Sequence, residues 1–148
     1  MTGGDQAITS SGHISVDAVG VGVDLVAELR ALNSRGLSVP WMWVVSAERV
    51  RFGGGSTSPR LAVGVFNDVG ALQWHEGRDT FVPIGGGNPH WRAYWLAGAH
   101  ESQMRPGTEV PVDTAFLAVE EFLRTLTRPT CVEWEKGLPL SASLRDEA

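Results

Sequence analysis

The stretch from Arg105 to Glu135 constrains the fold more than any other part of this chain. Val112, Ala115, Phe116, Val119, Phe122, Leu123 and Leu126 recur at helical spacing and form one continuous apolar stripe. Asp113, Thr114, Glu120, Glu121, Arg124 and Thr125 take the opposite face. Pro106-Gly107 supplies a turn ahead of the helix. Glu109 and Asp113 put negative charge near the positive end of its dipole. Pro129 removes a backbone donor and disfavours helical geometry at Arg128, so the helix stops before it. Thr130 to Glu135 then alternates, with Val132 and Trp134 on one side and Cys131, Glu133 and Glu135 on the other. That pattern predicts a strand with one buried face, and the helix should pack on the sheet containing it.

Upstream, the chain reads as helix followed by strands. Residues 17–34 predict a helix, with Asp17 as a possible cap and Gly36 at the left-handed C-terminal position. Gly20 and Gly22 weaken its first turn, and the part before Asp24 could equally be a short strand. Val39 to Val45 is apolar on both faces and predicts an interior strand with Pro40 at its start. The glycine-rich run from Arg51 to Pro59 reads as a loop; no G-K-[ST] follows that would make it a phosphate cradle. Leu61–Phe66, Ala71–Glu76, Thr80–Ile84 and Trp91–Ala97 predict further strands. Turns are expected at Asn67–Gly70, Glu76–Asp79 and Gly85–Pro89. The expected fold is α+β: an antiparallel sheet of about five to six strands, with an N-terminal helix and a C-terminal helix followed by a last strand. A single domain spanning 1–148 is expected, with residues 1–12 and 137–148 as mobile tails.

Several function classes lose support. A formal charge of -5 argues against direct binding to nucleic acid or anionic membrane and is compatible with a basic partner. The single cysteine, Cys131, excludes an internal disulfide and a multi-cysteine metal site. With no signal-peptide pattern and no long apolar run, a cytoplasmic location is expected. His75-Glu76 lacks the second histidine of a zinc-protease helix. His90 and His100 stand about 33 Å apart along an extended strand, too far to share a metal. No G-x-S-x-G elbow occurs, and Glu133 and Glu135 would raise the Cys131 thiol. Neither catalysis nor a metal or other cofactor is expected.

Six tryptophans make the aromatic content informative. Alternation puts Trp91 and Trp95 on one face of their strand, and Tyr94 and Leu96 on the other. One set belongs in the core; the other is either covered as well or free to anchor a partner. Glu76, Asp79, Glu101 and Glu109 fall in expected turns nearby, as solvated charges or as an acidic rim. The interface candidates are Trp74, Glu76, Asp79, Trp91, Tyr94, His100, Glu101 and Glu109.

The run P-G-T-E-V-P, the helix ending E-F-L and then R-P-T-C-V-E-W resemble the C-terminal signature of a bacterial immunity-protein family. It is the first numbered immunity family of polymorphic toxin systems, Imm-one. The strand H-W-R-A-Y-W-L-A-G and the hairpin L-A-V-G-V-F-N-D-V-G-A-L-Q-W also resemble it, so the likeness covers roughly residues 39–135. The resemblance implies an α+β fold, no catalysis and tight binding to a cognate toxin, often a nucleic-acid deaminase. The alternative is a small-molecule-binding or sensing domain with a pocket beneath the tryptophans.

Overall fold

The computed structural model describes residues 8–16, 24–47 and 59–139. The expectations for Asp17, Gly20, Gly22, the loop over 51–58 and the tails at 1–7 and 140–148 lie outside those residues.

Helix α1, Leu25–Ser34, starts where Asp24 accepts the Ala27 amide at 3.0 Å, satisfying one of the free donors of the first turn. It buries Leu25, Val26, Leu29 and Leu32, and Gly36 follows it at φ 82°. Helix α2, Val112–Thr125, buries Ala115, Phe116, Ala118, Val119 and Phe122, most of the stripe read from the sequence. No side chain caps its start; the Val112 amide donates instead to the Asp68 carbonyl. Leu126 was expected on the stripe but closes the helix in left-handed geometry at φ 59°, with its side chain 43% exposed.

The sheet has nine strands among the described residues, against the five to six expected. These are β1 (His13–Ser15), β2 (Trp41–Ser46), β3 (Arg60–Phe66), β4 (Val69–Glu76), β5 (Asp79–Pro83), β6 (Arg92–Leu96), β7 (His100–Met104), β8 (Glu109–Pro111) and β9 (Trp134–Lys136). The main path runs β7-β6-β2-β3-β4-β5-β9. Most pairs are antiparallel, but β2 runs parallel to both β1 and β6, which share one of its edges. Likewise β8 pairs with residues 69–71 of β4 while β5 pairs with residues 74–76.

Both helices lie on one face, over Trp43, Val45, Leu61, Val63, Val65, Leu72 and Trp74. Gly70 was expected to serve the β3–β4 turn; it sits within β4, where an added Cβ would stand 2.6 Å from the Ala115 methyl. Glycine here lets α2 come down onto the sheet. The turn is made by Asn67 at φ 60°. Asn67 and Asn33 exchange amide and backbone hydrogen bonds at 2.8 Å, and Asn67 also bonds Leu37 in both directions. That clamp ties the end of α1 to the hairpin.

The opposite face is lined by Met42, Ala62, Ala71, Tyr94 and Met104. Tyr94 on β6 lies over Gly64 of β3, where a Cβ would come within 2.5 Å of the ring, and reaches Glu109 on β8. In a flat sheet β6 and β8 would be four spacings apart, about 19 Å. Two side chains cannot span that gap, so the sheet is curled, with Tyr94 filling its concave face.

The ends of the described chain are better held than expected. The Trp43 indole donates to the Thr9 carbonyl at 2.9 Å, and the Val44 amide to Gly12. Residues 9–12 are therefore tied to β2 rather than loose. At the other end, the Gly137 amide donates to Thr80 and Leu138 accepts from Arg105. The last strand is shorter than predicted, because Thr130 turns back to the Glu121 carboxylate at 2.7 Å and pairing starts only at Trp134.

Candidate partner-binding site

Strand register divides seven of the eight candidate residues between the two faces of the sheet. Trp74, Glu76, Asp79 and Glu101 belong to the helix-covered side; Tyr94, His100 and Glu109 belong to the concave side. Trp91 precedes β6, so the alternation that would pair it with Trp95 does not reach it. It packs instead against Arg105, whose guanidinium carbon is 5.2 Å from the indole centroid.

Trp74 and Tyr94 cannot serve as surface anchors. Trp74 is 1% exposed, meets Phe122 edge-on at 5.5 Å and donates its indole proton to Glu76 at 2.9 Å. Tyr94 is fully buried. Its hydroxyl donates to Glu109 at 2.7 Å, and the same carboxylate oxygen accepts from Arg92 at 2.9 Å. Burial, and after it the bond to Glu109, holds the phenol proton far above the ordinary tyrosine range. Glu109, with a side chain only 12% exposed, is thus an interior tie and not the rim charge expected from the sequence. Glu76, Asp79, His100 and Glu101 are exposed, and Trp91 is half-buried. Asp79 faces Lys136 at 3.1 Å.

The concave side also holds a polar cluster whose members the sequence did not single out. Asn88, 7% exposed, accepts from the Thr108 and Glu109 amides and donates to the carbonyls of His90 and Arg105. It draws the loop after β5 against the loop after β7. Gly86 makes this approach possible, since a Cβ there would sit 1.8 Å from the Gly107 oxygen. Arg105, 8% exposed, donates Nε to Leu138 and both its backbone amide and Nη1 to Gln73 Oε1. The only signals for this arrangement were glycines and an asparagine in predicted turns, which do not reveal what a turn will touch.

His75 lies beside this cluster, 3.0 Å from the Thr80 hydroxyl. Burial first, then the charges of Arg60 and Arg105, lower its pKa to about 4 from the ordinary 6.5. A lowered histidine pKa favours the folded state fully above pH 6.5, and that contribution is lost as pH falls through about 4. Acidifying from pH 7 to 4.5 should therefore remove up to about 3 kcal/mol at this site. Denaturant unfolding at both pH values, with His75→Gln beside the wild type, measures it. A loss of equal size in the variant would assign the acid sensitivity elsewhere.

Among the described residues no group of three or more His, Cys, Asp or Glu side chains could hold a metal ion. No helix there is long and apolar enough to cross a membrane. A cavity of about 730 Å³ lies between the two helices, lined by Asp24, Leu25, Arg30, Glu120, Leu123 and Arg124 among others, with no tryptophan. The family described as Immunity protein Imm1 matches residues 18–136, most of the chain and farther toward its N-terminus than the quoted motifs reach. The chain belongs to the Imm1 immunity-protein family. No curated protein matches it. Membership implies a toxin as binding partner, and the Imm1 match takes in both helices and strands β2 to β9.

Proposed function

We propose that this chain is a non-enzymatic immunity protein that binds and occludes a cognate toxin. The observation that carries this reading is the match to the Imm1 family over residues 18–136. We take the partner to be a basic toxin acting on nucleic acid, such as a deaminase. Its positive charge would complement the net -5 of this chain. Exposed carboxylates at Asp79 and Glu101 support a role in steering, and half-buried Trp91 supports a role as anchor.

Rim charges act mainly on association rate and its salt dependence. Asp79→Lys combined with Glu101→Lys should slow association with the cognate toxin several-fold at low salt. The gap should close as ionic strength rises. Stopped-flow binding across a salt series reads both quantities. Unchanged rates at low salt would take these two residues out of the interface. A toxin that neither binds the chain nor is silenced by co-expression would sink the functional reading itself.

A further inference from the structure

Arg105 and Trp91 together form an anomaly on the concave face. Arg105 is 8% exposed, yet no carboxylate pairs with it among the described residues. Its Nε and Nη1 are committed to the Leu138 carbonyl and the Gln73 amide oxygen, both neutral acceptors. Nη2 has no hydrogen-bond partner among the described residues. The indole against which this guanidinium packs carries the second anomaly: Trp91 Nε1 is closed off from solvent and has no hydrogen-bond partner among the described residues. A buried donor without an acceptor costs about 1–3 kcal/mol, more when charge is involved. Among the described residues Trp91 Nε1 is the buried donor left so, and the guanidinium stacked on its ring adds an Nη2 without a partner: an orphan N–H beside a cation describes a place prepared for an acceptor.

The electrostatics specify the sign of that acceptor. Arg60 of β3 and His75 of β4 are register partners and share the concave side, and both arginines, 60 and 105, act on His75. Gln73, Thr80 and Gly137 complete the surround from β4, β5 and the segment after β9. Of the carboxylates on this side, Glu109 is taken up by Tyr94 and Arg92, and Glu135, opposite Val82, is exposed and forms no ion pair with Arg105. The Arg105 guanidinium thus carries a charge that no carboxylate among the described residues pairs with directly. Guanidinium and indole N–H both match oxyanions, which accept charge-assisted hydrogen bonds strongly.

We propose that Arg105 and Trp91 form a binding site for a small oxyanion, a carboxylate or a phosphate group. Trp91 is itself only half-buried, so the site borders solvent. The site shares Trp91 with the proposed toxin anchor, but it can be tested on the chain alone.

The experiment is a titration of the intact protein at pH 7 and fixed ionic strength, once with sodium phosphate and once with sodium acetate. The readout is the indole N–H resonance of Trp91 in a nitrogen–proton correlation spectrum, assigned by its loss in Trp91→Phe. A saturable downfield shift is expected with at least one anion, and the tighter of the two assigns the group as phosphate or carboxylate. In Arg105→Lys, which keeps the charge but loses the planar fork, affinity should fall at least tenfold. Should that variant fail to fold, Trp91→Phe keeps the aromatic face and should weaken binding several-fold by isothermal calorimetry. A Trp91 resonance that moves with neither anion, or moves equally in Arg105→Lys, overturns the proposal.

Discussion

Phe122→Ala is expected to lower the unfolding free energy by about 3–5 kcal/mol, the range for truncating a buried aromatic. Phe122 is fully buried on the inner face of α2 and meets Trp74 of β4 edge-on at 5.5 Å. The loss has two parts: apolar surface no longer removed from water, and a void that the helix cannot close. Gly70 and Ala115 already bring α2 as close to β4 as backbone and methyl allow, so the helix has little room to settle inward. The cost should thus fall in the upper half of that range. Urea unfolding followed by tryptophan fluorescence gives the midpoint. A midpoint equal to wild type would mean that α2 presents a different face to the sheet.

The second large effect belongs to the concave side. Tyr94→Ala should cost about 3–5 kcal/mol as well, and Tyr94→Phe only about 1–2 kcal/mol. The ring fills the space over Gly64 and Ala71, while the hydroxyl supplies one of two donors to Glu109. Phenylalanine keeps the filling and leaves Glu109 with Arg92. Alanine removes both and opens a cavity between β6 and β3. Equal losses in the two variants would show that the hydroxyl bond, and not the ring, holds the curl. A negligible loss in both would contradict the buried position of Tyr94.

How much of this was legible in the sequence depended on whether the deciding contacts were local. The α2 stripe, the left-handed position at Gly36, the turn over Glu76–Asp79 and the place of Pro40 ahead of β2 all follow from short-range geometry. Strand β7, H-E-S-Q-M, shows no apolar alternation; only Met104 is buried, and the strand forms by backbone pairing with β6. Strands β1 and β8 are three residues long and depend on edges that exist only once β2 and β4 are in place. The candidate site was harder still. Glu109 read as a turn carboxylate because nothing in its neighbourhood announces Tyr94, 15 residues earlier and four strands away along the sheet. Arg105 was taken as the edge of a turn, since its acceptors at Gln73 and Leu138 are each more than 30 residues distant.

The pairing of β2 sets when a newly made chain can begin to work. Its partners are β1 and β6 along one edge and β3 along the other, and the Ala97 amide donates to Met42, so its hydrogen bonds are complete only after residue 97 has been made. The helix-covered core closes later, when Phe122 arrives with α2. At about 5–20 residues per second, a ribosome needs roughly 6–25 s to reach Thr125, the end of α2. Little of that interval can be spent folding in stages, because non-local parallel and antiparallel pairs form late and slowly. Protection would therefore begin only after α2 has been made, and a cell relying on it must keep a standing stock ahead of exposure.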